Sequence, residues 1–335
     1  MKVTVLTHLE KENDSELDVV VKQVVRALKR RGHNPSVLAV HGDLRKLLSG
    51  VSRRKPSAIF NLMETFGDNE LGAAGLSGVL ELLSVPYTGG GPGEISLQED
   101  KALTKKLLAY EGIPCPDFAV FRPDAGLETG GRLHMPLFVK PLRMDASIGI
   151  DAKSLVHTSE DLMQRVSFIH KEVHDAALAE EYIEGREFYV GVLGNDDPQV
   201  LPPMEMDFSQ MPEGKPHIVD AKAKWDENSS EYKGTQVRLA ELPDELAARL
   251  KKVAVDAYRA LEVRDYGRID LRVAETGEIH VIEVNASCYL EQGSEFATAA
   301  AAAGIEYPDL IDRILELAVQ RFANRNGRAL RRHGK

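Results

Sequence analysis

Two short apolar segments near the C-terminal end carry the residues best suited to bind a metal. They are residues 266–272 (YGRIDLR) and 281–285 (VIEVN). Glu283 and Asn285 are two positions apart, so in a β-strand their side chains lie on the same face. If the two segments pair as a hairpin, Asp270 joins them and completes a set of three oxygen donors. Since Mg²⁺ prefers oxygen ligands and keeps waters or substrate phosphates in its other positions, the spacing predicts a half-open magnesium site.

The alternative to a magnesium site is that the same two segments form ordinary exposed surface structure. Taken alone, Glu283 and Asn285 are equally consistent with the polar face of an exposed strand. Arg268, however, precedes Asp270 by two positions, so both side chains point the same way. A guanidinium there can meet negative charge held by a metal, which favours the interpretation as a site.

A second candidate site follows the apolar segment 137–140 (LFVK), which ends in Lys140. A lone lysine at a strand end is typical of the surface. Here it is followed by residues 143–149 (RMDASIG), whose small side chains allow backbone N–H groups to surround phosphate oxygens. The sequence contains no GxxxxGK[ST] P-loop, and the glycine-rich run 89–93 is not a dinucleotide-binding fingerprint. We interpret that run as a domain junction.

The third candidate is the segment 180–187 (EEYIEGRE). An apolar strand leads to Tyr182 and Ile183, whose backbone groups can contact the edge of a purine. Glu187, beyond the following turn, can accept hydrogen bonds from ribose hydroxyls. An acidic hairpin at the surface is the alternative for this segment.

The elements that must position these residues alternate along the chain. Strands are predicted at 3–6, 36–40, 58–62, 118–121, 137–140, 177–182, 267–273 and 279–284, and a third section of the chain begins at 187–193. Helices are predicted at 15–31, 70–83, 98–111, 159–172, 242–261, 296–303 and 308–322. The alternation in the first third indicates a parallel sheet covered on both faces. Residues 202–236 have weak periodicity and form a candidate lid.

These elements divide the chain into four parts. We predict an N-terminal α/β domain (1–95), a central domain of α+β character (96–186), a C-terminal domain with the metal site (187–323) and a basic tail (324–335). The tail is more typical of a solvated chain end than of a binding arm.

Composition limits the classes of function. The 335 residues carry a net charge of −10, which argues against nucleic acid as the main partner, because phosphate backbones require concentrated Lys and Arg. Cys115 and Cys288 are widely separated, which favours a reducing compartment over a disulfide framework. We expect neither a signal peptide nor a membrane span, and therefore a cytoplasmic protein.

In order and spacing, these motifs resemble the ATP-grasp superfamily and, within it, the D-alanine–D-alanine ligases. The resemblance extends from about residue 58 to 320. The matching segments are 81–89 (ELLSVPYTG), 100–101 (DK), 104–105 (TK), 138–141 (FVKP), 180–187 (EEYIEGRE), 223–225 (AKW), 267–270 (GRID), 283–285 (EVN), 303–305 (AGI), 307–308 (YP) and 310–311 (LI). The resemblance implies an ATP-grasp fold of three domains, with ATP between the central and C-terminal domains.

The resemblance also implies a role for each matching polar residue. The implied ATP-binding residues are Lys101, Lys140, Ser147, Glu180, Tyr182, Ile183, Glu187 and Lys224, the last on a mobile loop over the γ-phosphate. The implied ligands for two Mg²⁺ ions, or for Mn²⁺ in their place, are Asp270, Glu283 and Asn285, with Glu283 bridging. The implied catalytic residues are Arg268, Ser147 and Ser294. Arg268 would stabilise the reacting carboxylate and the later oxyanion.

The first departures from the family pattern lie in the N-terminal domain. The acidic signature after the first strand is replaced by residues 7–12 (THLEKE). Glu10, Glu12 and Glu16 each stay a candidate to hold a substrate amine. The family's Leu-His-Gly element is replaced by residues 62–65 (LMET). These differences leave the nucleotide chemistry intact and leave the identity of the substrates open.

Further departures lie close to the implied catalytic residues. Ala146 stands where the family usually has the first of two serines, so only Ser147 remains. Residues 288–289 (CY) replace a Pro-Gly pair, although any residue there retains the backbone N–H that helps to form an oxyanion hole. Ser294 is retained, but Glu295 stands where an apolar residue is usual. A carboxylate at that position would repel the carboxylate of a second amino-acid substrate.

The sequence therefore predicts an ATP-dependent carboxylate–amine ligase that acts through an acyl phosphate, with D-alanyl-D-alanine as the default product. One alternative is an ATP-grasp ligase that joins other amino acids or amines in a biosynthetic pathway. Another is a nucleotide-binding protein without catalysis. The expected partners are small-molecule carboxylate and amine substrates. Neither nucleic acid nor a membrane is expected as a partner, and the sequence leaves open whether the protein forms a homodimer.

Overall fold

The computed structural model describes residues 1–12, 16–67, 69, 71–124, 128–129, 132–145, 147–212, 214–226 and 228–333. For residues 128–129, 225 and 326–333 it describes the backbone alone. Ala146, one of the departures from the family pattern, lies outside these ranges. Within them, none of the helices combines the length and the apolar character needed to cross a bilayer.

The N-terminal part is built on a parallel sheet of three strands in the order β2-β1-β3. Its strands and helices are β1 (Lys2–His8), α1 (Val19–Arg30), β2 (Asn34–Val40), α2 (Leu44–Arg54), β3 (Ala58–Leu62) and α3 (Gly72–Leu83). Helix α1 buries one side, including Val20, Val24 and Leu28, because these apolar residues recur at helical spacing. The prediction of a parallel N-terminal sheet is confirmed.

The central part contains an antiparallel sheet of five strands in the order β5-β4-β8-β6-β7. Its elements are α4 (Pro92–Glu99), α5 (Lys101–Tyr110), β4 (Phe118–Phe121), β5 (Glu128–Thr129), β6 (Leu137–Pro141), β7 (Leu155–Val156), α6 (Ser159–Phe168) and β8 (Ala177–Glu181). The predicted single helix 98–111 is wrong in its start. Asp100 has extended backbone angles, and its side chain accepts a hydrogen bond from the Leu103 N–H, so it ends α4 and caps α5.

The C-terminal part contains an antiparallel sheet in the order β12-β11-β9-β13-β14, with β10 paired to β9. Its elements are β9 (Gly185–Leu193), β10 (Gln199–Val200), β11 (Met204–Asp207), α7 (Ala221–Trp225), α8 (Ser230–Gly234), β12 (Gln236–Leu239), α9 (Asp244–Ala260), β13 (Tyr266–Ala274), β14 (Ile279–Asn285), α10 (Glu295–Ala302) and α11 (Tyr307–His333). On β13, Ile269, Leu271 and Val273 enter the core shared with α9. The alternate residues 268, 270 and 272 therefore face the other side.

Two predicted segments differ from the structure. The candidate lid 202–236 is not one long loop, because Met204 and Met206 are buried in β11 and the side chains of Asp220 and Ser229 cap α7 and α8. The last helix continues to His333, so most of the predicted tail has a helical backbone.

The N-terminal and C-terminal parts are joined by buried polar contacts around the glycine-rich run. The Gly89 N–H donates to Asp265 at 3.1 Å, and Arg264 donates back to the Gly89 carbonyl at 3.0 Å. Arg321 of α11 donates to both Asp265 oxygens and to the Tyr87 carbonyl. Because Asp265 is fully buried, these charge-assisted bonds hold the two parts in register.

Candidate active site

The predicted metal ligands lie on the paired strands β13 and β14. In the antiparallel register Asp270 faces Glu283, and Arg268 faces Asn285, so the predicted hairpin is confirmed. The register shifts directly after Asp270, which marks a β-bulge. Val281 consequently packs in the core, although an unbroken strand would place it on the same face as Glu283. Bulges re-aim side chains beside functional sites, and this one presents both carboxylates away from the core.

Arg268 and Asp270 form a bidentate ion pair on this face. The Nε–Oδ1 and Nη2–Oδ2 distances are 2.7 and 2.9 Å, and Asn285 Nδ2 donates to Asp270 Oδ2 at 3.3 Å. The guanidinium lies 4.9 Å from the centroid of the Tyr189 ring. Burial raises the pKa of Asp270 to about 6, against the opposing effect of Arg268 and with a further rise from Glu283. A second cation beside Asp270 would therefore be stabilising.

Glu283 lies among cationic side chains that come from four separate elements. Its Oε1 is 3.6 Å from Lys101 Nζ. Burial raises the pKa of Glu283, but Lys101, Lys140, Arg268 and Lys224 together lower it below its ordinary value. These cations belong to α5, β6, β13 and α7 respectively. Four cations predicted for the site thus surround the carboxylate of a fifth predicted residue.

Lys140 and Lys105 share the buried carboxylate of Glu180. The Lys140 Nζ–Oε1 distance is 2.7 Å and the Lys105 Nζ–Oε2 distance is 2.8 Å. Burial raises the pKa of Glu180, but the two ammonium groups outweigh it and bring the pKa down to about 2. All three side chains are at most 5% exposed. The predicted adenosine contact Glu180 therefore also holds the lysine predicted to contact phosphate.

The phosphate loop, residues 143–149, contacts both Lys101 and the candidate lid. Lys101 Nζ donates to Asp145 at 2.9 Å. Ser147 Oγ donates to the Val219 carbonyl at 2.9 Å, and the φ of Ser147 is +61°, in the left-handed region that side chains seldom occupy. Such a strained backbone is typical of ligand-contacting loops.

The segment predicted to bind adenosine is organised by Arg272. Its Nη1 donates to the Ile183 carbonyl at 2.9 Å, and its Nε and Nη2 reach Glu187 Oε2 at 3.0 and 2.7 Å. The same guanidinium donates to the His217 carbonyl in the candidate lid and lies 4.9 Å from the Tyr182 ring. Tyr182 Oη also donates to the His217 carbonyl, at 3.2 Å. The base-binding segment and the candidate lid therefore meet at one arginine.

Ser294 and Glu295 begin helix α10. Ser294 Oγ accepts a hydrogen bond from the Ala297 N–H at 3.4 Å, so its side chain caps the helix. Glu295 Oε2 is 3.3 Å from Arg268 Nη1. Of these two neighbours, Glu295 makes the direct contact with Arg268.

Among the glutamates of the N-terminal part, Glu64 is near enough to Lys224 and Asp145 of the candidate site to interact with them electrostatically. Glu10, Glu12 and Glu16 are exposed, and Glu12 forms an ion pair with Lys46. Glu64, which follows β3, is also exposed, yet desolvation by the surrounding protein raises its pKa. The choice among the three predicted glutamates stays open.

The donor set fits a hard divalent cation. The described residues contain no group of three His, Cys, Asp or Glu side chains placed to hold a metal, so a closed Cys/His site of the zinc type is absent from them. Asp270, Glu283 and Asn285 offer two carboxylates and an amide oxygen, which suit Mg²⁺ completed by waters and phosphate oxygens.

Two residues of this site were not singled out from the sequence. Lys105 is four positions after Lys101, on the same side of α5, and Arg272 is two positions after Asp270, on the same face of β13. Both spacings can be read from the sequence and could have identified Lys105 and Arg272 as residues of the site. Lys105 pairs with Glu180 and Arg272 pairs with Glu187. Each partner lies more than 70 residues away, and the sequence does not reveal such pairings.

Comparisons with known proteins identify the family to which the sequence is similar. The family model described as D-ala D-ala ligase C-terminus matches residues 107–316. The uncharacterized protein y4sG of Sinorhizobium fredii is 33% identical over 311 residues, covering 90% of this chain and 88% of its own length. The D-alanine–D-alanine ligase of Desulforudis audaxviator is 31% identical over 307 residues, covering 90% and 92%.

The fold is also that of a solved structure. The D-alanine–D-alanine ligase of Bacillus anthracis complexed with ATP superimposes with a TM-score of 0.76 at 22% identity, over 97% of this chain and 99% of that one. The predicted ATP-grasp fold is confirmed. The family model covers well over half of the chain, and a relative above 30% identity covers nearly all of it. The chain therefore belongs to the D-alanine–D-alanine ligase family.

Proposed function

We propose that the protein is an ATP-dependent ligase that activates a carboxylate as an acyl phosphate and joins it to an amine, giving a dipeptide or dipeptide-like product. The observation that carries the proposal is the position of Glu283 among Lys101, Lys140, Arg268 and Lys224. A carboxylate surrounded by cations from four elements is the arrangement expected where a divalent metal and a polyphosphate bind together. D-alanine with D-alanine is the reference pair, because curated relatives are named for that reaction.

In this proposal the nucleotide lies between the central and C-terminal sheets. Lys101 and Lys140 hold the phosphates, and the backbone at 143–149 with Ser147 surrounds them. Ile183 and Tyr182 contact the base, and Glu187 accepts the ribose hydroxyls. Arg272 holds Glu187 and the Ile183 carbonyl in place through the contacts of 2.7 to 3.0 Å described above.

The chemistry begins because a carboxylate is a poor electrophile. One of its oxygens attacks the γ-phosphorus of ATP, the bond to the β-phosphate oxygen breaks, and ADP leaves. Asp270, Glu283 and Asn285 would hold Mg²⁺, which neutralises charge on the phosphate oxygens. Lys101 and Lys140 supply further positive charge beside the transferred group.

The second half joins the amine to the activated carbon. The nitrogen lone pair forms the C–N bond, negative charge builds on the carbonyl oxygen, and the C–O bond to phosphate then breaks. Arg268, which contacts Asp270 and Glu295 in the structure, would stabilise that oxyanion with its guanidinium. The amine's extra proton passes to phosphate or solvent.

Hydrolysis of the acyl phosphate must be prevented. Because β11 and β12, at the two ends of the candidate lid 202–236, belong to the sheet, we narrow that lid to residues 214–226. Their contacts with the rest of the site are the carbonyls of His217 and Val219, which accept hydrogen bonds from Arg272, Tyr182 and Ser147. Lys224, on α7, lowers the pKa of Glu283 from this segment. The lid would thus bring one cation to the γ-phosphate and exclude water.

The test is ADP release with D- and L-amino acids as carboxylate donors and with amino acids, amino-acid amides and simple amines as acceptors. The proposal predicts release that requires both a carboxylate and an amine, with product detected by mass spectrometry. ADP release that ignores both substrates would reject it, as would ATP binding without any turnover. The number of metal ions, the use of Mn²⁺, a homodimer and a cytoplasmic location stay predictions.

A further inference from the structure

Glu295 occupies one edge of the guanidinium proposed to stabilise the reacting carbonyl. Arg268 uses Nε and Nη2 for Asp270, and its Nη1 is 3.3 Å from Glu295 Oε2. The metal ligand and the carboxylate of Glu295 therefore lie on different edges of the same planar group. If phosphate transfer takes place on the Asp270 side, the Glu295 edge is the side from which the amine approaches.

The negative charges around Arg268 outnumber its single positive charge. One guanidinium faces two carboxylates, those of Asp270 and Glu295, both within 3.3 Å. Glu295 is 29% exposed along its side chain, so a molecule in the cleft can reach it. A substrate carboxylate placed there would meet Glu295 as a like charge, whereas an ammonium would be attracted.

Acidic groups of the N-terminal part lie near the loop that precedes Glu295. The loop that leads into α10 contacts the N-terminal domain, where Tyr289 Oη donates to Asp18 at 2.8 Å and the Gln292 N–H donates to Gln23 at 2.8 Å. Asp18 and the nearby Glu64 both act on the Tyr289 hydroxyl as negative charges. Carboxylates of the N-terminal part thus lie near the loop that leads to Glu295, whereas the cations Lys101, Lys140 and Lys224 lie around Glu283.

We propose that Glu295 selects a cationic amine that bears no carboxylate beside its reacting nitrogen, so that the acceptor is an amine, or an amino-acid amide or ester, rather than a free amino acid. This inference rests on the proposed ligase function and narrows its second substrate. It concerns the acceptor alone and makes no claim about the nucleotide or about the carboxylate that is activated.

The experiment compares acceptors that differ only in the carboxylate, alanine and alaninamide in both stereochemical forms. A panel of D- and L-amino acids serves as the source of the activated carboxylate. Hydroxylamine, which needs no specific pocket, traps the acyl phosphate as a hydroxamate and reports the first half-reaction separately. The variants are Glu295→Gln, which removes the charge at constant shape, and Glu291→Gln, which removes a charge from the same loop.

For the unchanged protein we expect kcat/KM to be at least about tenfold higher with alaninamide than with alanine. Glu295→Gln should bring the two values to within about twofold, and Glu291→Gln should keep the original ratio. A purely structural role of Glu295 would lower both acceptors alike and leave the ratio unchanged.

Two results would overturn the inference and can be told apart. Hydroxamate formation together with a preference for alanine, or with a ratio that Glu295→Gln does not move, rejects the selection by Glu295 and leaves the ligase function standing. Absence of hydroxamate and of ADP with every donor in the panel rejects the ligase function, and the inference with it.

Discussion

The nucleotide side and the substrate side of the cleft differ in how their charges are held. On the nucleotide side, Lys105, Lys140 and Glu180 are almost completely buried and paired at 2.7 to 2.8 Å. The acidic residues that we assign to the substrate side, Glu10, Glu16 and Glu64, are exposed and lie outside the helices and strands of the N-terminal part. The first set lies on helix α5 and strands β6 and β8, inside the packed central part.

This difference indicates which half of the proposed reaction depends on side chains held by packed helices and strands. Side chains on packed strands and helices keep fixed positions, whereas loops tolerate substitution and usually carry specificity. Phosphoryl transfer to a carboxylate needs fixed cations and is common to the family's chemistry. The choice of amine needs only a few residues, and most of the positions where this chain departs from the family pattern, such as residues 7–12, 62–65 and 288–289, lie outside the packed nucleotide side.

The largest effect is expected at the metal ligands, which belong to the nucleotide side. Asp270→Asn removes one of two carboxylates and should lower kcat for ADP release by about a thousandfold, on the basis that metal stabilisation of phosphoryl transfer amounts to several kcal/mol. Initial rates at saturating ATP measure it. Asp256→Asn, in an exposed pair with Lys252, is the control and should retain full activity. Unchanged turnover in Asp270→Asn would remove the metal assignment.

The next effect concerns stability and tests whether the nucleotide side is rigid. Glu180→Gln leaves two buried ammonium groups without their shared carboxylate and should reduce the free energy of unfolding by about 3 kcal/mol. Chemical denaturation measures the loss. Glu205→Gln is the matched variant, since Glu205 is buried but its partner Arg186 is 44% exposed, and its loss should be about 1 kcal/mol. Equal losses in the two variants would contradict the distinction.

The same carboxylate gives a pH dependence of known sign. The folded-state pKa of Glu180 is about 2 against an ordinary value of 4.5. Its contribution to stability is therefore fully present above pH 4.5 and is lost as the pH falls towards 2. The stability difference between the unchanged protein and Glu180→Gln should shrink over that window by about 3 kcal/mol. A difference that stays constant from pH 5 to 2.5 would show that Glu180 is not held ionised.

The smallest effect is expected on the substrate side. Glu295→Gln should change the free energy of unfolding by only about 0.5 kcal/mol, because Glu295 is partly exposed and Arg268 keeps its bidentate partner Asp270. The KM for ATP should stay within about twofold. Thermal unfolding and ATP titration check both expectations. A large loss of ATP affinity would show that the two sides are not separable.

Much of the architecture follows from local pattern. The strands Ala58–Leu62 and Phe118–Phe121 coincide with the predicted limits, because each is a short apolar run bounded by turn residues. The pairing of β13 with β14 follows from two apolar strands joined by a Glu-Thr-Gly turn. Helix α2 (Leu44–Arg54) was not predicted, although Asp43 caps it and Leu47 and Val51 recur at helical spacing.

The site was predictable in its residue types but not in its pairings. Spacing on one strand brings Arg268 and Asp270 to the same face, and no long-range information is needed for that. The bulge after Asp270 depends on the detailed register of the β13–β14 hairpin, and the ion pair of Glu180 with Lys105 depends on a partner far along the chain. The contact of Glu295 with Arg268 depends in addition on where α10 begins, which tertiary packing decides.

The central claim is that Asp270 and Glu283 together hold a divalent cation against the phosphates of ATP. The most direct measurement is a crystal structure with Mn²⁺ and a non-hydrolysable ATP analogue, using the anomalous signal to locate the metal. We predict a peak within about 2.3 Å of oxygens from both carboxylates, with the analogue's phosphates beside Lys101 and Lys140. An analogue bound there with Mn²⁺ contacting neither Asp270 nor Glu283 would contradict the account.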